Sequence, residues 1–196
     1  MPEIEIPNPE ELGELKNKGF TRRVAISTAI YAVMLAIAAL GGNNAMKEML
    51  LAQQMASDQW AFYQAKVIRE HGYRIQQRRL EVELTERGAS MVPEARQQYE
   101  ALLAEFAAEA KRYNAEKKDI EKDAKHWEHE RDLNRKKDPY FDFAEVLLQI
   151  AIVLSSVSIL ASSRLLYGVS FVLAVCGTVL MLDGYTLVVA LPFFGH

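Results

Sequence analysis

The sequence predicts an all-α membrane protein with three transmembrane helices and a long antiparallel coiled-coil helical hairpin between the first and second. Three observations predict it. Charge is segregated: residues 43–138 carry 18 of the 23 Lys and Arg, whereas residues 24–40 and 165–182 hold no charged residue. Three apolar runs each reach about 17 residues or more, near the minimum that crosses a bilayer as a helix. Between the first and second run, strong helix formers repeat with heptad spacing.

Residues 1–21, with Pro2, Pro7, Pro9 and acidic residues at 10, 11 and 14, are expected to form a cytoplasmic amino-terminal tail. Within them 10–18 offers a short surface helix resting on Leu12 and Leu15. Residues 22–42 form the first membrane helix: the uncharged part, 24–40, rises ~26 Å, and Gly41 and Gly42 extend it. Ala36-Ile37-Ala38 resembles a signal cleavage site, but the preceding residues are long and acidic for a signal peptide, so an anchor is expected.

Residues 43–138 contain one proline, Pro93, and one evident break, 88–93, which divides them into two arms of about 45 residues, each ~65 Å long as helix. Ser90 is expected to cap the second arm, with Pro93 in its first turn. That arm carries a seam in alternating steps of four and three: Tyr99, Leu103, Phe106, Ala110 and Tyr113, then Lys117, Ile120, Ala124 and Trp127. Lys117 is its one cation. On the first arm Ala61, Ile68, Ile75 and Val82 stand seven apart with Ala65 and Gly72 between them, and are expected to face inward, with His71 beside them.

Residues 143–163 form the second membrane helix and 165–183 the third, turned around Ser162, Ser163 and Arg164. The apolar stretch 184–196, broken by Pro192, is too short to cross and is expected at the interface. Lys16, Lys18, Arg22, Arg23 and Arg164 fall on one side of this topology, which places the amino terminus in the cytoplasm by the positive-inside preference.

Small residues recur at the spacing that lets membrane helices approach: Ala25 and Ala29, Ala32 and Ala36, Ser158 and Ser162, and Ser170, Ala174 and Thr178. Helix packing, within the chain or between copies, is expected there. With the amino terminus inside, Asn43, Asn44, Glu145, Gln149 and Asp183 gather at one membrane face below the hairpin. In an oligomer they are a candidate pore mouth or ion-binding ring.

Chemistry is otherwise sparse. A net charge of −3 with mixed signs argues against nucleic acid as a partner, and the single cysteine, Cys176, admits no disulfide within the chain. Asp123, His126 and His129 share a helical face, but as solvated residues rather than as metal ligands. No catalytic constellation, phosphate loop or zinc spacing is present, so no enzyme activity, metal or cofactor is expected.

The Pro7-Asn8-Pro9-Glu10 start, the Gly41-Gly42-Asn43-Asn44 exit and the Asp138-Pro139-Tyr140-Phe141 re-entry resemble an uncharacterised bacterial inner-membrane family known as a domain of unknown function. The resemblance implies architecture and inner-membrane location, and supplies no activity or ligand. A coiled coil joined to membrane helices is also similar, by analogy, to calcium-uniporter-type channels, whose acidic signature this sequence lacks. The expected role is a homo-oligomeric scaffold or accessory subunit that meets lipid, its own copies and an unidentified protein partner. The alternative is a cation-conducting channel or transporter.

Overall fold

A computed structural model describes residues 9–188, with side chains from residue 18 onward. The expected interfacial segment from residue 189 on, and the side chains of residues 10–17, lie outside the described residues. Among the described residues three helices account for the fold: α1 (Pro9–Arg87), α2 (Pro93–Leu160) and α3 (Arg164–Thr186). Among the described residues there is no strand. Each holds a stretch long and apolar enough to cross a membrane. The sequence suggests separate membrane helices and arms, but α1 and α2 each run through both without a break. Pro139 sits inside α2, where it removes one backbone donor from the ladder without ending the helix.

The chain divides into two compact units. The first comprises Met1–Glu48 and Leu133–His196, the second Met49–Asp132.

In the first unit, parts of all three helices share one core. Val24, Tyr31, Ala38 and Ala45, seven apart on α1, are buried, as are Phe141, Ala144, Leu148 and Ala151 on α2 and Ala174 and Met181 on α3. Phe141 is 1% exposed because glycine surrounds it. A Cβ on Gly41 would overlap its ring and stand 2.8 Å from the Tyr185 hydroxyl, and one on Gly184 would stand 3.1 Å from the ring. Tyr185 closes the cage edge-on at 4.9 Å and donates to the Ile37 carbonyl at 3.3 Å.

The turn from α2 to α3 is a left-handed helix end. Ser162 takes φ 47°, while Ser163 N–H donates to Ser158 O at 3.0 Å and Ser162 N–H to Ile159 O at 3.2 Å, the two bonds of a Schellman closure. Ser163 then caps α3, its side chain accepting from Leu166 N–H. Ser162, expected to pack between helices, is exposed and serves the turn instead.

In the second unit α1 and α2 lie antiparallel. Lys66 pairs with Glu116, Asn114 donates to Glu70, and Arg131 donates to Gln53, so each step up one arm matches a step down the other. The turn closes on α1: the Ser90 hydroxyl donates to Arg87 O at 2.9 Å, and the α2 ladder opens with Arg96 N–H on Val92 O at 3.1 Å. Ser90 therefore finishes the first arm rather than capping the second.

Candidate functional site

Along α2 the structure buries Ala110, Tyr113 and Ala124 and half-buries Tyr99, Leu103, Phe106, Lys117, Ile120 and Trp127. The first arm faces them with a different row from the one expected. Ile68, Ile75 and Val82 are 71%, 66% and 50% exposed, and Ala61, Ala65, His71 and Gly72 are exposed too. The row that turns inward is offset by two residues, ~200° round the helix. It runs Ala52, Ala56, Tyr63, Lys66, Glu70 and Tyr73, and on to Leu80 and Leu84.

This inward row is polar because its charges are paired. Glu70, 2% exposed, takes Asn114 Nδ2 at 2.9 Å and Arg74 at 2.7 Å on Oε1, and Lys117 Nζ at 2.6 Å on Oε2. Burial pushes its carboxyl upward, but Lys117, Asn114 and Arg74 outweigh that and hold it below the ordinary carboxylate range. Lys66 holds Glu116 low in the same way. Around this cluster Tyr73 stacks on Tyr113 at 5.7 Å and meets Phe106 at 5.8 Å. Lys66, Arg69 and Arg112 approach the Tyr113 ring, and the Arg69 and Arg112 guanidiniums hold its hydroxyl below the usual tyrosine range. Nearer the first unit's residues in sequence, Trp60 Nε1 donates to Glu128 at 3.0 Å.

Sequence reasoning missed Glu70. The signal was Lys117: a cation in a seam needs a carboxylate level with it. Counting back from the 88–93 turn sets Lys117 level with Lys66, and Glu70, one helical turn further along α1, supplies the carboxylate.

In the first unit, the predicted packing residues separate into two groups. Ser158, Ser170 and Ala174 are buried, and Thr178 is half-buried with its hydroxyl on Ala174 O at 2.8 Å. Ala25, Ala29, Ala32 and Ala36 are exposed, because Tyr31 and Ala38 take the inward face of that helix. A relay of hydroxyls ties α2 to α3: Ser170 donates to Ala151 O at 2.8 Å, and Ser155 to Ser170 at 2.6 Å.

Of the candidate pore-mouth residues, Asn43, Asn44 and Gln149 are exposed and Glu145 is half-buried beside Gly42. Asp183 is buried and engaged with its own helix end. Its carbonyl takes Leu187 N–H at 2.6 Å and its Oδ1 takes Val188 N–H at 3.1 Å. Burial lifts the Asp138 carboxyl above its ordinary range, with Asp142 adding to the shift. Asp123, His126 and His129 are exposed, and the His126 ring lies against Trp127 at 5.5 Å. No group of three His, Cys, Asp or Glu side chains at metal-holding distance occurs among the described residues.

These features define a class: an all-helical protein with three helices of membrane-crossing length and an antiparallel helical pair closed by paired ions. The chain belongs to the family described as a domain of unknown function, DUF4337, whose model matches residues 20–187. No curated protein and no solved structure matches it.

Proposed function

We propose that the protein is an integral membrane homo-oligomer that acts as a scaffold or accessory subunit through its helical hairpin. The observation that carries this reading is the contrast between surface and core in the first unit. Its outward residues, among them Ile30, Val33, Leu40, Val153, Val172 and Val179, are as apolar as the core they surround. Water penalises such a surface and lipid does not. The second unit supplies a charged, water-compatible rod with ion-paired contacts and no catalytic cluster, which suits holding partners rather than transforming them.

The amino terminus then lies in the cytoplasm and three helices cross the inner membrane. The test has two readouts on the full chain. Membranes washed in alkaline carbonate should retain the protein, and light scattering of the detergent-solubilised protein should give a multiple of the chain mass. Release by carbonate without detergent, or a single-chain mass at every concentration, overturns the proposal.

A further inference from the structure

The row Ala61, Ile68, Ile75 and Val82 has the spacing of a coiled-coil seam yet is not used within the chain. Gly72, at its middle, has open space where a Cβ would stand. The second arm carries a counterpart. Ala101, Ala104, Ala108 and Ala115 follow the same alternation of three and four with Lys111 in step, and all five are exposed. Each arm thus bears two seams, one closed inside the hairpin and one open roughly half a turn away.

The two open seams match in height. The register that sets Lys66 level with Glu116 and Gln53 with Arg131 sets Val82 level with Ala101, Ile75 with Ala108, and Ile68 with Ala115. Every bulky residue of one row meets an alanine of the other. Between these layers the sizes reverse: Gly72, Ala65 and Ala61 come level with Lys111, Lys118 and Lys122, whose stems can lie over the small residues.

Charge agrees with size. Asp58 comes level with Lys125, and Arg79 with Ala104, beside Glu100 and Glu105. All of these are exposed in the single chain.

We infer that the open α1 row of one copy packs against the open α2 row of the next, in register, so that identical hairpins join side by side around an axis. This rests on the membrane-anchored homo-oligomer proposed above, because copies held in one bilayer share orientation and height. The occupant of each row is therefore a second copy of this chain.

The contact is heterologous, and it closes as a ring when the rotation from one copy to the next divides a full turn. From Asp58 to Glu86 the row is ~42 Å long, which at a helix width of ~10 Å gives roughly 800 Å² per contact over both partners, modest for a free association. Tethering in the membrane raises the effective concentration enough for such a face to hold.

The test uses the full chain in bilayers on a Cys176→Ser background, with two differently tagged populations carrying Ile75→Cys and Ala108→Cys. Mild oxidation should join the two tags, and Val82→Cys should likewise join Ala101→Cys. Ile75→Cys paired with Ala101→Cys, one heptad out of step, should give several-fold less product. Ile75→Ala should lower the oligomeric fraction, and adding Ala108→Ile to the same chain should restore it by exchanging large and small within one layer. Circular dichroism checks that each variant keeps its helix.

An oligomer whose only product is Ile75→Cys joined to itself, or one indifferent to register, overturns this inference and leaves the homo-oligomer standing. A single-chain mass for the unsubstituted protein overturns both.

Discussion

The two units solve the same problem, packing long helices, by opposite means. The first brings backbones together over Gly41, Ala144, Gly177 and Gly184 and binds them with serine hydroxyls, and its outer surface is apolar. The second holds its helices apart with Tyr73, Phe106 and Tyr113 and buries a carboxylate among cations, and its surface carries the charge. On the membrane reading proposed above, the surrounding solvent selects the interior. Where the surroundings are apolar, hiding apolar surface gains nothing, so close approach and hydrogen bonds decide. Where water surrounds the helices, bulk and ion pairing decide the partner face.

The largest expected effect breaks the second solution. Glu70→Ala leaves Lys117 without its carboxylate inside the seam, and because that side chain keeps 21% of its surface exposed, the cost falls below that of a fully buried charge, at about 2 kcal/mol. Glu70→Leu with Lys117→Leu removes both charges and should recover most of the loss. Urea unfolding followed by far-UV circular dichroism compares the two, and a double variant as weak as the single would deny that pairing is the issue. The same cluster predicts an acid response. Glu70 and Glu116 bind protons less readily in the folded protein than a free glutamate does at 4.5, so their contribution is complete above that pH and is lost as pH falls through the lower folded values. The hairpin should therefore weaken below pH 4.5, and Glu70→Gln should flatten that part of the profile.

Next in size is a break in the first solution. A Cβ on Gly177 would meet Leu148 at 3.0 Å, the Ala144 carbonyl at 3.1 Å and Leu147 at 3.2 Å, whereas one on Gly168, in the same helix, meets nothing. Gly177→Val should cost about 2 kcal/mol by overpacking, while Gly168→Ala should be neutral or slightly stabilising. Thermal unfolding in detergent distinguishes them. Equal losses would mean that glycine matters here for flexibility rather than for approach.

How much of this was legible depended on whether polarity carried phase information. The α2 seam could be read because Tyr99, Phe106, Tyr113 and Trp127 mark one face unambiguously. The α1 seam could not, because its inward row contains Gln59, Lys66, Glu70 and Gln77 while a rival row of Ile and Val has the same spacing. Hydrophobicity selects the wrong face when the interior is built from paired ions. In residues 24–40 both faces are apolar, so Ala32 and Ala36 looked as good as Tyr31 and Ala38. The three membrane-length stretches and the place of the 88–93 break were readable from composition alone, whereas the fusion of each arm with a membrane stretch into one helix was not. The cage around Phe141 depends on contacts between distant residues and left no local pattern.

A smaller effect sharpens the comparison at the hydroxyl relay. Ser170→Ala removes the donor to Ala151 O and the acceptor of Ser155 in a buried setting, and should cost about 1 kcal/mol. Ser156→Ala, on an exposed hydroxyl that bonds only its own helix at Ile152 O, should cost far less. Detergent unfolding of both tests whether the relay, rather than serine content, holds α2 to α3.

The smallest effect concerns the two turns, which share serine but use it differently. Ser162 sits at φ 47°, where a side chain crowds the backbone and glycine does not, and its own side chain is exposed. Ser90 lies outside that region among the described residues, and its hydroxyl holds the last carbonyl of α1. Substitution by glycine should therefore carry opposite signs: Ser162→Gly stabilises by about 0.5 kcal/mol, while Ser90→Gly loses a similar amount through the missing bond and the freer unfolded chain. If both substitutions destabilise, the conformation at Ser162 is not what limits the turn, and the freer unfolded chain that glycine brings outweighs the relief of strain.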